Sequence, residues 1–157
     1  MSVFPTRFHT SRVQPGSGRL KSGAVLNSVE RDFSRSGTDT YKALLVDDNQ
    51  DLLDLAAVLF RQLGFEVHTA ASAEDALDLL AGSAKFDVLF TDVVMPGISG
   101  IQLGHEARRL NPDIKVILVS GYPQKAISAG HGTVHDFRFL NKPYRVDDIV
   151  RLLKDPN

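Results

Sequence analysis

The chain has no cysteine, which excludes a disulfide scaffold, thiol catalysis and cysteine-based zinc sites and fits a reducing, cytoplasmic setting. No apolar run approaches the roughly 18 residues of a membrane-spanning helix. Positive charge is not in excess either, since 18 Lys and Arg stand against 19 Asp and Glu for a formal charge of -1. That balance conceals two unlike parts: residues 1–40 carry six basic and three acidic side chains, and residues 41–157 carry twelve and sixteen. The acidic part has no basic stripe and no recognition-helix module for nucleic acid. No internal repeat or second domain is found. What is present is enough apolar material, 43% of 157 residues, to bury one core and so to form one domain.

Residues 1–40 contain Pro15-Gly16-Ser17-Gly18, Ser22-Gly23 and Ser34-Arg35-Ser36-Gly37-Thr38, with isolated apolar residues and no sustained period of two or 3.6. A disordered tail or linker is expected there. Its Arg- and Ser-rich composition, without an acid before Glu30, is also that of a transit peptide. Residues 24–33 have the length of a marginal helix that would not hold alone.

From Tyr41 the pattern changes, and a folded domain is expected over 41–157. Lys42-Ala43-Leu44-Leu45-Val46 reads as a buried strand ending in Asp47-Asp48, with Asn49-Gln50-Asp51 as a helix start. Leu52, Leu55, Ala56, Leu59 and Leu63 then recur at helical spacing until Gly64 stops the helix. Residues 65–70 form a second strand. Ser72 and Asp75, at capping-box spacing, open a second helix with Ala73, Ala76, Leu77 and Leu80 on one face.

Within residues 86–97 the run Val88 to Phe90 is too short for a globular helix and is bounded by charge and by Pro96-Gly97, so it reads as a strand covered on both faces, with Asp92 at its carboxyl end. A helix follows over 99–110, closed by Asn111-Pro112, with Arg108-Arg109 as a solvated end complementing its dipole. Residues 114–120 are the fourth strand. Between 122 and 136 the glycines of Gly130-His131-Gly132 break any helix, leaving it short and mobile. His131 and His135 are four apart, but the intervening Gly132 and Thr133 argue against a helical metal-binding face. Residues 137–140 form a fifth strand, and Asn141-Lys142-Pro143 turns into a last helix carrying Val146, Ile149, Val150 and Leu153.

Five strands alternating with helices require a parallel sheet with right-handed crossovers, an α/β, three-layer, doubly wound domain over about 41–154. In such a sheet the carboxyl ends of the strands form one surface where ligands bind. Asp47 and Asp48 after the first strand, Asp92 at the end of the third, Ser120 at the end of the fourth and Lys142 after the fifth all fall on that edge. Taken alone, Asp92 before Met95-Pro96-Gly97 reads equally well as a turn or N-cap aspartate.

Taken together, three nearby carboxylates repel by about 4 kcal/mol per pair at ~4 Å and an effective dielectric near 20, so positive charge must offset them. Lys142 supplies one such charge. Oxygen ligands without His or Cys argue for a hard ion, and a few carboxylates with waters and a phosphate oxygen describe Mg²⁺ better than a closed Ca²⁺ cage. A carboxylate beside Mg²⁺, with a hydroxyl and an ammonium at hand, suits acceptance of a phosphoryl group as an aspartyl phosphate. A nucleotide-binding Rossmann domain would instead need a Gly-rich turn after the first strand, where this chain has two acids.

Four segments carry a specific resemblance: Leu44-Leu45-Val46-Asp47-Asp48-Asn49, Thr91-Asp92-Val93-Val94-Met95-Pro96-Gly97-Ile98-Ser99-Gly100, Val119-Ser120-Gly121-Tyr122 and Leu140-Asn141-Lys142-Pro143-Tyr144. In order and spacing the chain resembles a response-regulator receiver domain over nearly all of 41–154. The resemblance implies the flavodoxin-like strand order 2-1-3-4-5, Asp92 as phosphoacceptor, and Asp47, Asp48 and the Val94 carbonyl as Mg²⁺ ligands with Asp92. It implies Ser120 and Lys142 as phosphoryl contacts and a cis Lys142-Pro143 bond. The family's aromatic switch position falls on Phe139, where tyrosine is frequent, so any switch movement through Ser120 and Phe139 lacks a phenol hydroxyl. A core-packing phenylalanine is the alternative there.

The expected function is that of a phosphoacceptor in a two-component phosphorelay. A histidine kinase or phosphotransfer protein phosphorylates it, and phosphorylation switches the binding of a downstream protein and changes order around 122–136. No output domain is expected on the chain, which would then act as a relay, a sink or a regulator in trans, and its wording also resembles receivers attached to hybrid kinases. It is not expected to be an enzyme beyond self-catalysed phosphorylation and dephosphorylation, nor to engage nucleic acid or membrane. The alternative is a phosphorylation-independent interaction module with the same fold. An aspartyl-phosphate phosphatase would need an acid or base two residues past its nucleophile, where this chain has Val94.

Overall fold

The computed structural model describes residues 39–121 and 137–155. The tail up to residue 38, the segment 122–136 with its expected short helix, and His131 and His135 lie outside the described residues. In chain order the elements are β1 (Lys42–Val46), α1 (Gln50–Gln62), β2 (Glu66–Ala70), α2 (Ala73–Leu80), β3 (Val88–Asp92), α3 (Gly100–Leu110), β4 (Lys115–Ser120), β5 (Arg138–Asn141) and α4 (Val146–Lys154). The five strands are parallel, in the order β2-β1-β3-β4-β5. Among the described residues no helix is long and apolar enough to cross a membrane.

Period-two alternation divides the core. Leu45, Phe90, Ile117 and Val119 face one layer with Leu53, Phe60, Ile149 and Leu153 of α1 and α4, while Leu44, Leu89, Val116 and Leu118 face the other with Ala73, Ile101 and Leu103 of α2 and α3. Because β1, β3 and β4 are covered on both faces, they read as unbroken apolar runs. The edge strands β2 and β5 carry the more polar, half-exposed residues. Local signals set the helix starts. Asn49 accepts from the N–H groups of Asp51 and Leu52, and Ser99 and Gln102 form a reciprocal capping box at α3.

Helix α1 meets the sheet on a face rotated from the one its spacing suggests: of the spaced residues Ala56 and Leu63 are buried and Leu59 partly so, while Leu52 and Leu55 are not. Leu53, Ala56, Ala57 and Phe60 face the sheet, whereas Leu52, Leu55 and Val58 are exposed. The helix carries two overlapping apolar stripes. Its largest side chain decides between them, because the Phe60 ring packs 5.0 Å from Phe90 and 5.4 Å from Phe65.

A charged side chain is fully buried at the opposite end of the sheet. Lys115, 1% exposed at the start of β4, donates from Nζ to the carbonyls of Leu152 (3.1 Å), Leu153 (2.9 Å) and Asp155. It thereby satisfies the last carbonyls of α4 and sits at the negative end of the helix dipole. Burial, reinforced by the Arg138 charge and opposed by Asp155, lowers its pKa to about 8. The folded state therefore releases this proton more readily than the unfolded chain. Stability is expected to rise by up to about 3 kcal/mol as pH increases from about 8 toward 10. Urea unfolding across that range should show the slope in wild type and not in Lys115→Met; parallel curves would refute it.

Candidate functional site

The acidic and basic residues at the carboxyl edge of the sheet are positioned by their backbones. The Asp47 N–H donates to the Ala70 carbonyl at the end of β2 (3.3 Å), the Val93 N–H to Val119 O (3.0 Å) and the Lys142 N–H to Ser120 O (3.0 Å). Each side chain thus starts from a point held by the neighbouring strand. Oxygens of Asp47, Asp48 and Asp92 lie within 4.8 Å of one another. Lys142 Nζ sits 3.4 Å from Asp47 Oδ2 and 3.5 Å from Asp92 Oδ2, and Asp47 Oδ1 accepts from the Asn49 N–H at 2.9 Å.

Asp47 is 9% exposed, Asp92 is half-buried and Asp48 is open. Burial pushes the Asp92 carboxyl above its ordinary range, the Lys142 ammonium opposes this, and the Asp47 charge adds to it. Three carboxylates against one ammonium leave the site an acceptor for positive charge. Hard oxygen donors at a partly open edge suit Mg²⁺ completed by waters, so the residues present fit that ion.

Two contacts restrain the loop that follows Asp92. Gly100, the first residue of α3, donates from its N–H to Val93 O at 2.9 Å, and a Cβ placed on it would lie 2.0 Å from the Asp92 carbonyl oxygen. Only hydrogen fits there. Gly97 has φ +80°, a conformation that favours glycine, and Glu74 of α2 reaches across to accept a long 3.4 Å contact from the Ile98 N–H. Helix α3 therefore starts directly against the backbone of the central aspartate.

A family model for the response regulator receiver domain matches residues 43–154. The chain belongs to this family. Over 129 residues the receiver is 35% identical to the sensor kinase CckA of Brucella abortus (strain 2308), an alignment covering 81% of this chain and 13% of that protein. It is 28% identical over 109 residues to the response regulator receiver protein CpdR of the same organism, covering 69% of this chain and 90% of the relative. Among solved structures, the response regulator TrrA of Thermotoga maritima, in complex with Mg²⁺ and BeF, superposes with a TM-score of 0.64 at 27% identity, covering 73% of this chain and 97% of that one. Receiver domains of two-component systems interact with histidine kinases or phosphotransfer proteins and bind Mg²⁺ at an acidic pocket.

The receiver fold places the remaining sequence-predicted residues as follows. Ser120 ends β4, 2% exposed and in register with Asn141. Val94 lies on the loop after Asp92 with its side chain 71% exposed. Phe139 is half-buried on β5 and packs against the core under α2 and α3. The Lys142-Pro143 bond is cis. Arg108 differs from the solvated helix end expected: it is half-buried, with its guanidinium over the Phe137 ring 5.3 Å from the centroid. Arg109 is exposed and pairs with Glu106.

Tyr144, which the sequence presents only within the Leu140-to-Tyr144 motif, lies beside the acidic cluster. Its ring packs edge-on against Phe90 at 5.5 Å, and it lines a small cleft with Asp47, Asp92 and Lys142. Burial, then the charges of Asp47 and Asp92, push its hydroxyl pKa up to about 12, so the phenol stays protonated. Its position two residues after Lys142 was the available signal.

Proposed function

We propose that this receiver takes a phosphoryl group onto Asp92 from a histidine kinase or phosphotransfer protein, and that the phosphorylated form binds a downstream protein differently. The observation that carries the reading is the grouping of Asp47, Asp48 and Asp92 within 4.8 Å, with Lys142 bridging two of them. A bound Mg²⁺ would supply charge neutralisation for the carboxylates and the incoming phosphoryl oxygens. Asp47, Asp48, Asp92 and the Val94 carbonyl are the proposed ligands.

In the transfer, an Asp92 oxygen bonds to phosphorus as the phosphorus bond to the donor breaks, and the donor leaves with the electron pair. Lys142, already 3.5 Å from Asp92 Oδ2, turns to donate to one phosphoryl oxygen, and the Ser120 hydroxyl at the adjacent strand end donates to another. Movement of Ser120 and packing of Phe139 then relay the change to the surface. The exposed Leu52, Leu55 and Val58 on α1 offer the phosphodonor an apolar footing beside the acidic edge, and Leu52 itself borders the cleft that contains Asp92. The aliphatic Val94 two residues past Asp92 provides no acid or base for a phosphatase acting on other substrates.

Intact mass after incubation with Mg²⁺ and acetyl phosphate tests the reading. A gain of one phosphoryl group is expected. Absence of any gain, with Mg²⁺ binding confirmed, would favour a phosphorylation-independent interaction module.

Lys142→Ala separates metal binding from phosphoryl recognition. Removing a cation that competes for Asp47 and Asp92 should leave Mg²⁺ affinity equal or higher. Loss of one charge-assisted hydrogen bond to the phosphoryl group should weaken beryllofluoride binding by about 10- to 100-fold. Calorimetric titration of each ligand reads both. Loss of Mg²⁺ affinity would mean that Lys142 has been assigned the wrong role.

A further inference from the structure

We propose that the Tyr144 hydroxyl is an additional contact of the phosphoryl site, donating a hydrogen bond that retains the phosphoryl group on Asp92; this rests on the reading of Asp92 as phosphoacceptor. Tyr144 follows the turn that delivers Lys142, and its ring is braced edge-on by Phe90, two residues before Asp92 on β3. Phe90 and Tyr144 therefore move with the two chain segments that carry the phosphoacceptor and its ammonium. The cleft that the tyrosine lines is also walled by Asp47, Asp92 and Lys142, and both carboxylates lie near enough for their charge to act on the phenol.

The polar inventory of this cleft is uneven. Asp47 has the Asn49 N–H and Lys142 as donors, and Asp92 has Lys142. The Tyr144 hydroxyl has no hydrogen bond to another of the described residues. The hydroxyl is not among the buried polar atoms left without a partner, so water is its acceptor while the site is unphosphorylated.

Phosphorylation supplies an anionic acceptor in place of water, since the group added to Asp92 brings oxygens and further negative charge to the edge that Asp92 shares with the cleft. A donor that gains an anionic partner only in the phosphorylated state favours that state. In the hydrolysis that ends it, a water oxygen bonds to phosphorus, the bond to Asp92 breaks, and the carboxylate leaves with the electron pair while the water's proton passes to the released phosphate. Negative charge shifts toward the departing carboxylate. A hydrogen bond to a phosphoryl oxygen therefore holds the ground state more than it helps the bond to break.

Tyr144→Phe tests this with the ring, its packing on Phe90 and the cleft shape retained. Wild type and variant, each loaded with Mg²⁺ and acetyl phosphate and then freed of donor, are followed by intact mass. Affinity for beryllofluoride in the presence of Mg²⁺ is measured in parallel by calorimetry. The variant is expected to lose its phosphoryl group about 5- to 10-fold faster and to bind beryllofluoride about 5- to 10-fold more weakly, with Mg²⁺ affinity unchanged. A tyrosine serving only to pack would move neither quantity. Equal or longer lifetime, or equal beryllofluoride affinity, would overturn the role given to Tyr144 while leaving Asp92 in place. Wild type that neither gains a phosphoryl group nor binds beryllofluoride would overturn the reading of Asp92 itself.

Discussion

Asp92→Asn is expected to abolish phosphoryl uptake from acetyl phosphate while leaving the protein folded. The amide keeps the size and shape of the carboxyl group but has no anionic oxygen to attack phosphorus. It also withdraws one of three carboxylates grouped within 4.8 Å, which should lower Mg²⁺ affinity by about tenfold. The fold should not suffer. Removing one of the like charges relieves repulsion, and the backbone around residue 92 is held by strand pairing with β4, so unfolding should shift by no more than about 1 kcal/mol in either direction. Intact mass and urea unfolding report the two effects separately. A phosphoryl group appearing at another residue in the variant would reject Asp92 as the acceptor.

Gly100→Ala should be the most damaging methyl group that can be added near the site. The new Cβ would lie 2.0 Å from the Asp92 carbonyl oxygen and 3.0 Å from Val93 Cα. Both neighbours are backbone, so neither can turn aside as a side chain would. Either α3 withdraws from the end of β3, giving up the Gly100 N–H bond to Val93 O, or β3 bends at the residue that carries the carboxylate. A loss of about 3 kcal/mol in stability is expected, together with weaker Mg²⁺ binding, because the oxygens of Asp92 move relative to Asp47 and Asp48. Gly121→Ala is the control, since a Cβ there meets nothing within 4 Å among the described residues and should change stability by less than about 0.5 kcal/mol. Similar unfolding midpoints for the two variants would refute the tight approach of α3.

The two variants differ in how far sequence could anticipate them. Asp92 stands out because a short apolar run ends in it and a turn follows. Gly100 looks like an ordinary helix-opening glycine, and its constraint comes from a carbonyl eight positions earlier that α3 happens to meet. Lys115 is similar. It sits inside an apolar strand pattern with nothing nearby in sequence to receive its charge, and the carbonyls that do receive it belong to residues 152, 153 and 155. For α1, spacing showed that a helix exists but selected Leu52 and Leu55, which are exposed, over Leu53, Ala57 and Phe60, which are buried.

By itself the sequence determined the alternation of strands and helices, the parallel sheet, and the assembly of Asp47, Asp48, Asp92 and Lys142 at one edge. Hydrophobic period and end signals are local, and parallel strands must bring their carboxyl ends to the same side. Tertiary structure alone decided which stripe of α1 meets the sheet, that Lys115 closes the last helix, that α3 leaves no room for a Cβ at Gly100, and that the Tyr144 ring walls the cleft beside Asp92. Each of these depends on the distance between side chains remote in sequence. That distance is fixed only when bulky residues such as Phe60 and Phe90 have packed.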